Sequence, residues 1–239
     1  MLSGFAARSS SAHFGGCSQP FEDGFDAEVK MYEHVDLFDY ERLCNKHGSQ
    51  KYADVTLETL EKYQGKVPEL LLAIWERHGL TSHGQGELWF TNPDDFTDIV
   101  QAFFGDQYSF IVYARTSFGR LWAILDDRLY TIHPQIARAI YGHKLEVFDT
   151  LMSSGLVSTS SDFHTEHLKA LKKLGPLKAD QMYGYVPVLA LGGNGSLKET
   201  KIVQMREYLF MVADITTSAV REGGAKLYNP DGPSAVSTD

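Results

Sequence analysis

Three runs of aromatic and β-branched residues constrain the fold of this 239-residue chain most strongly. Residues 108–115 (YSFIVYAR) and 121–125 (LWAIL) are separated by a short segment that contains Phe118-Gly119. Such runs on either side of a glycine-containing turn predict a β-hairpin. A third run, 128–132, follows Asp126-Asp127 and predicts another strand. The series indicates an antiparallel meander, because a parallel doubly wound sheet would alternate its strands with helices.

Helical patterns surround this meander and dominate the second half of the chain. Apolar residues recur at helical spacing, and a glycine follows most of these segments, where it can adopt the left-handed conformation that ends a helix. The sequence therefore predicts an α+β fold, in which an antiparallel meander with packed helices is followed by a smaller, more helical C-terminal α+β domain. The predicted helices are residues 38–46, 56–63, 68–78, 92–104, 145–152, 165–174 and 206–217.

Changes in composition predict the domain organisation. Residues 1–24 are rich in Ser, Gly and Ala but lack the apolar run of a secretory signal, so we expect a flexible leader. The tail, 225–239, has no apolar period and is also expected to be flexible. A boundary between Pro134 and Lys144 divides the remainder into an N-terminal domain, 25–140, and a C-terminal domain, 141–224.

The charge of the chain limits its partners. The net charge is −9 at pH 7, from 22 Lys and Arg against 31 Asp and Glu. Nucleic-acid binding needs a basic face, so we expect no nucleic-acid partner and instead a basic protein. The apolar stretches are far shorter than the ~20 residues that span a bilayer, so no membrane partner is expected. Two cysteines exclude a disulfide framework and suit a cytoplasmic location.

Common catalytic motifs are absent from the sequence. It has no G-x-S-x-G elbow, no GxGxxG after a strand and no Walker lysine. His164, Glu166 and His167 form H-T-E-H, which matches neither common zinc motif, so a polar helix face is the simpler interpretation. We expect no catalytic residue, no metal and no cofactor. The alternative of a hydrolase assembled from distant residues requires Asp126, His133 and His164 to meet in one cleft.

Three segments of the chain resemble a known protein family. Residues 174–193 (LGPLKADQMYGYVPVLALGG) resemble the hallmark of the GAD-like family of bacterial immunity proteins, which carry a second, characteristic C-terminal domain. Residues 63–79 (YQGKVPELLLAIWERHG) resemble its N-terminal helix, and 115–122 (RTSFGRLW) are similar to its central hairpin. Together these segments extend the likeness over most of residues 25–220.

The resemblance implies a function. It implies a non-enzymatic immunity protein that binds a cognate, basic DNase toxin of a type VI secretion system and blocks its active site. A regulatory or scaffold protein that binds another protein remains the alternative. The sequence does not indicate an oligomeric state.

Acidic residues are the candidate toxin contacts. Asp94, Asp95 and Asp98 follow the helix cap Asn92, where carboxylates complement the helix dipole, and we expect them to enter the basic cleft of the nuclease in place of DNA phosphate. A simple helix cap is the alternative for these three. Residues 22–41 contain eight acids and one base, and their acidic face is expected to accelerate toxin capture or to be only solvated. The candidates there are Glu22, Asp23, Asp26 and Glu28, and the apolar stripe expected to dock this segment is Val29, Tyr32, Val35 and Phe38.

The 174–193 string itself is expected to be structural rather than to contact the toxin. Gly175-Pro176 would end a helix, because proline cannot continue it. The apolar residues that follow would then lie in the C-terminal core, and Leu189→Ala would cost ~2–5 kcal/mol of stability. These expected core residues are Tyr183, Tyr185, Val186, Val188, Leu189 and Leu191.

Overall fold

A computed structural model describes residues 31–154, 161–219 and 226–228 of the chain. The helices are α1 Phe38–His47, α2 Leu57–Tyr63, α3 Glu69–His78, α4 Thr97–Phe104, α5 Phe148–Ser154, α6 Asp162–Leu174 and α7 Met205–Ala219. The strands are β1 Ser49–Ala53, β2 Leu80–His83, β3 Leu88–Phe90, β4 Ile111–Thr116, β5 Leu121–Leu125, β6 Arg128–His133, β7 Arg138–Lys144, β8 Gln181–Tyr185, β9 Thr200–Gln204 and β10 Lys226–Tyr228.

The strands form one large and one small sheet. In the large sheet, β1 to β7 follow one another as an antiparallel meander, and β10 pairs with β7 in parallel. In the small sheet, β8 pairs with β9 in antiparallel fashion. This arrangement confirms the predicted α+β fold with its meander and its smaller, more helical C-terminal part.

Helices cover both faces of the large sheet. On one face, α1, α2, α3 and α5 pack against Tyr113 of β4 and Leu129 of β6. On the other face, α4 and α7 pack against Val112 of β4 and Ile132 of β6. Burial on both faces accounts for the nearly continuous apolar runs of these strands. Since α7 comes from the C-terminal part of the chain, this second core is shared between the two halves.

Several strands carry weak sequence signals and were missed by the pattern. β1 (SQKYA) is an edge strand whose side chains are exposed or half-buried, so it lacks apolar alternation. β7 contains Gly142 and ends in exposed His143 and Lys144. It runs across the proposed division at residue 140, and that division remains a prediction.

The expectation that six apolar residues of the 174–193 string lie mostly in the core was wrong for four of them. Tyr183 and Val188 are buried, but Tyr185 and Leu189 are only half-buried, and Val186 and Leu191 are exposed. The reason is that β8 ends at Tyr185, and the chain then forms a surface 3₁₀ turn over Leu189–Leu191. A truncation at Leu189 should consequently cost less than the ~2–5 kcal/mol of a fully buried leucine.

The N-terminal acidic residues Glu22, Asp23, Asp26 and Glu28 lie outside the described residues, as do the leader and most of the tail. From the predicted docking stripe, Val29 is also outside. Tyr32 is buried and Val35 packs at the edge of the first core, whereas Phe38 is 69% exposed. The stripe therefore docks through two of the three residues that the structure describes.

Candidate functional site

A cleft of about 600 Å³ lies between the meander and the C-terminal part of the chain. Its meander side includes Tyr52, Thr91 and Asp95. Its C-terminal side includes Asp180, just before β8, and Glu207 in the first turn of α7. Because clefts between two structural units are preferred sites for binding, this one is the first candidate for function.

A buried cation lines this cleft. Arg115 on β4 is 1% exposed, and its guanidinium lies 4.6 Å from the centre of the Trp89 ring. Its Nη2 donates a hydrogen bond of 2.8 Å to the carbonyl of Ala179 on the opposite side of the cleft. Burial lowers the pKa of Arg115 to about 10, so the group remains charged at neutral pH. Arg115 therefore ties the meander to the segment that leads into β8.

The structure separates the roles of the three predicted aspartates. Asp94 accepts hydrogen bonds of 2.6 Å from both Lys62 Nζ and Tyr63 Oη of α2. Burial opposes ionisation of Asp94, but these bonds outweigh it, and the pKa is lowered. Asp98 forms an ion pair with Arg206 of α7. Both carboxylates are thus engaged within the protein.

Asp95 is the most available of the three. Its side chain is exposed at the rim of the cleft, and its carbonyl accepts a 3.0 Å hydrogen bond from Arg206. Partial desolvation and the neighbouring Asp94 raise the pKa of the Asp95 carboxyl, and Arg206 offsets only part of this. The residue is thus an ionisable group whose charge is poorly compensated within the fold.

Two further acids at the cleft, Asp180 and Glu207, were not found by sequence reasoning. Asp180 is exposed beside Gln204, whose side-chain amide can donate to it. Glu207 is also exposed and makes no ion pair within the described residues. Asp95 lies more than eighty positions earlier in the chain. Glu207 is brought near it by the packing of α7 on α4, and the segment of Asp180 is held at the cleft by the hydrogen bond from Arg115 to Ala179, so neither contact has a local signature in the sequence.

The H-T-E-H segment of α6 joins the two halves of the chain. His164 Nδ1 lies 2.5 Å from the carboxylate of Glu87, and His167 Nδ1 lies 3.0 Å from Ser117 Oγ. Glu166 accepts a 2.7 Å hydrogen bond from the Tyr185 hydroxyl. All three side chains are thus used in internal contacts. The predicted polar helix face is in fact a contact surface between the halves.

The residues of the hydrolase alternative have other partners or surroundings. Asp126 forms part of the β5–β6 turn and lines a cavity of about 650 Å³ that contains neither histidine. His133 is on β6 opposite Arg138. His164 pairs with Glu87. The cavity that Asp126 lines therefore does not bring together the three residues of the hydrolase alternative.

Within residues 31–154, 161–219 and 226–228, no group of three or more His, Cys, Asp or Glu could hold a metal ion. In the same ranges, no helix is both long and apolar enough to cross a bilayer.

Comparison with known proteins identifies two domains. Residues 39–137 match the family model of the GAD-like domain. Residues 159–216 match the model of the C-terminal domain of T6SS immunity protein Tdi1. The two matches meet at the cleft, since Asp95 and Arg115 lie in the first and Asp180 and Glu207 in the second.

A solved structure shares the fold. The crystal structure of Atu4351 from Agrobacterium tumefaciens is similar with a TM-score of 0.66 and 21% sequence identity, over 82% of this chain and 94% of that one. At this identity, the likeness concerns the fold alone. No curated protein sequence matches the chain.

Proposed function

We propose that this chain, which matches the models of a GAD-like domain and of a Tdi1-type C-terminal domain, is a type VI secretion immunity protein that binds a DNase toxin and blocks its active site. The match over residues 159–216 carries this proposal. The region includes α6, both strands of the small sheet and most of α7. These elements share a core with the GAD-like domain, so a partner can contact both domains at once.

The charge distribution supports a DNase as the target. A nuclease must attract DNA and is therefore expected to have an electropositive site. The GAD-like match, residues 39–137, contains 14 acidic residues and nine basic ones. Asp95 is the predicted contact with the least internal compensation. Asp94 and Asp98 remain proposed contacts, but their ion pairs with Lys62 and Arg206 must be shared or exchanged for the toxin to use them.

In this proposal, inhibition needs no catalysis, metal or cofactor from the immunity protein. It acts in the cytoplasm, where a DNase would reach the chromosome. A toxin that destroys DNA requires tight inhibition, and a nanomolar complex corresponds to about −12 kcal/mol. Much of that free energy would come from a few buried anchors, whereas charges would mainly provide attraction and specificity.

A regulatory or scaffold protein is the second candidate, because a similar two-domain fold could bind a different protein. The genetic neighbourhood separates the two. A neighbouring reading frame that encodes a basic nuclease favours immunity, and its absence favours the scaffold.

The direct test is protection of growing cells. Cells that express the neighbouring toxin in their cytoplasm should stop growing and lose chromosomal DNA, and co-expression of this chain should restore both. A catalytically inactive toxin variant controls for general toxicity. Loss of DNA integrity despite abundant co-expressed protein would refute the proposed function.

The acidic N-terminal segment is expected to accelerate toxin binding. Neutralising Glu22, Asp23, Asp26 and Glu28 together should lower the association rate about 10–10³-fold at low salt and flatten its salt dependence. Dissociation should change little, since charges outside the buried interface act mainly before docking. Stopped-flow association between about 0.05 and 0.5 M salt measures both effects, because the Debye length shortens as the salt concentration rises over this range. Identical rates and salt slopes for parent and variant would show a merely solvated segment.

A further inference from the structure

An exposed apolar patch lies beside the cleft, on the side formed by α7. Of the large apolar residues exposed in the described chain, four lie on three neighbouring pieces of structure: the 3₁₀ turn Pro134–Ile136, the turn region that ends with Leu189–Leu191, and α7. Each of these pieces contacts the other two. The four residues are Ile136 (48% exposed), Val186 (41%), Leu191 (63%) and Met211 (43%).

The patch is held in place by partly buried hydrogen bonds between the three pieces of structure. The Tyr208 hydroxyl, on α7, donates a 2.8 Å hydrogen bond to the carbonyl of Tyr185 and accepts one of 2.9 Å from its amide nitrogen. Gln135 also donates to this hydroxyl, at 3.0 Å. These contacts join the three pieces of structure into one surface. Isolated exposed apolar residues are ordinary, but a group fixed on one surface marks an interaction site.

Acidic side chains extend along the same edge of α7. Glu207, Met211 and Asp214 follow one another at helical spacing and are all exposed. Neither Glu207 nor Asp214 has an ion-pair partner among the described residues. Glu207 also lines the cleft together with Asp95 and Asp180. On the adjoining side of the helix, Arg206 is neutralised by Asp98.

We propose that this surface, which we name the α7 ridge (Ile136, Val186, Leu191, Glu207, Met211 and Asp214), is where the toxin docks, with its basic surface beside the cleft. The inference rests on the proposed immunity function. The apolar side chains form the buried centre of the interface, and the carboxylates of the ridge and cleft pair with lysines and arginines of the toxin at its rim. This arrangement is typical of specific protein interfaces.

Charge argues against two other occupants of the ridge, a second copy of this chain and the chain's own acidic segment 20–30. A second copy of this chain would bring the same carboxylates face to face in a two-fold contact, which like-charge repulsion opposes. The chain's own segment 20–30 carries four acids and one lysine, so it is repelled as well. A basic protein meets neither obstacle.

Paired variants separate the ridge from the rest of the surface. Leu191→Ser with Met211→Ser should raise the dissociation constant for the toxin at least about 10-fold, because both side chains are expected to be buried anchors. Phe38→Ser with Val147→Ser is the matched control, because these residues are similarly exposed (69% and 37%) but belong to α1 and the turn before α5. The control should bind like the parent.

A second pair tests the charges. Glu207→Lys with Asp214→Lys should slow association and weaken its salt dependence. Glu146→Lys with Asp149→Lys changes the net charge equally at a distant surface and should have a much smaller effect. Calorimetric titration and stopped-flow association with the purified toxin domain measure both pairs, and thermal unfolding checks that every variant is folded.

The outcomes of these experiments distinguish failure of the ridge as the docking surface from failure of the proposed immunity function. If the parent binds the toxin and the ridge variants bind equally well, the ridge is not the docking surface, although the immunity function stands. If only the Phe38→Ser, Val147→Ser control loses binding, the toxin docks on the other face of the large sheet, near α1 and α5. That result would also refute the ridge as the docking surface. If the parent itself does not bind the toxin, the proposed function fails.

Discussion

Tyr183→Ala is expected to destabilise the protein by about 3–5 kcal/mol, the usual cost of removing a fully buried aromatic side chain. Tyr183 is completely buried where the two domains meet, with its ring centre 5.4 Å from that of Phe118 in the β4–β5 turn. Its hydroxyl donates a 2.7 Å hydrogen bond to the carbonyl of Gly175, and its amide donates to the carbonyl of Ser117. Removal of the side chain therefore leaves a cavity between the domains.

Two further variants separate the loss of the Tyr183 hydrogen bond from the loss of its buried ring and provide an exposed comparison. Tyr183→Phe keeps the ring and loses only the hydrogen bond to Gly175, which should cost about 1 kcal/mol. Leu191→Ala comes from the same sequence string but is exposed, so it should change stability by less than about 0.5 kcal/mol. Urea unfolding at neutral pH measures all three free energies. A Tyr183→Ala protein as stable as the parent would mean that the domain junction is not packed as described.

Acidification is expected to remove about 2 kcal/mol of stability for each of two buried histidines by pH 5. Burial lowers the pKa of both His83 and His167 to about 4, and neighbouring histidines add to the shift. Both side chains are almost fully buried, and in each one ring nitrogen lacks a hydrogen-bond partner. Protonation of either histidine in the folded state is therefore unfavourable.

The direction of this pH dependence follows from the histidine pKa values in the folded and unfolded states. An unfolded histidine titrates near pH 6.5, about 2.5 units above the folded value, so the unfolded chain binds more protons between these limits. The contribution of the two neutral histidines to the free energy of unfolding is complete above about pH 6.5 and falls as the pH drops towards 4. Burial raises the pKa of Glu87, which acts in the opposite sense because the folded state gains that proton first.

The histidine effect is measured by urea unfolding at about pH 7.5 and about pH 5 for the parent, His83→Gln and His167→Gln. Each variant should lose less stability between the two pH values than the parent does, even where its stability at neutral pH is lower. Equal losses in all three proteins would assign the acid sensitivity to other groups.

Sequence reasoning predicted elements with local signals. Gly48 and Gly79 follow α1 and α3 as expected, and Thr56 caps α2 by accepting a hydrogen bond from the Thr59 amide. The meander was predicted because its central strands are buried on both faces and therefore have nearly continuous apolar runs in the sequence. In contrast, β1 is an exposed edge strand and β7 is polar at its end, so neither shows an apolar period.

The candidate site was predicted only in part, because it depends on distant contacts. The sequence places Asp94, Asp95 and Asp98 together but does not show that Lys62 and Arg206 neutralise two of them. Similarly, the apolar string around Leu191 indicates a core, whereas the chain leaves the small sheet before that residue. Exposure of apolar residues and pairing of charges are properties of tertiary packing, which local patterns do not encode.

Inhibition of a DNase through direct binding by this chain is tested most directly by titration of DNA cleavage. Purified toxin domain, at a fixed concentration well above the dissociation constant, is mixed with increasing amounts of the full chain, and the cleavage rate of plasmid DNA is recorded. We expect the rate to fall linearly to zero at one equivalent, and we expect the Leu191→Ser, Met211→Ser protein to need a large excess. A cleavage rate that remains unchanged at a large excess of the folded parent protein would contradict the claim.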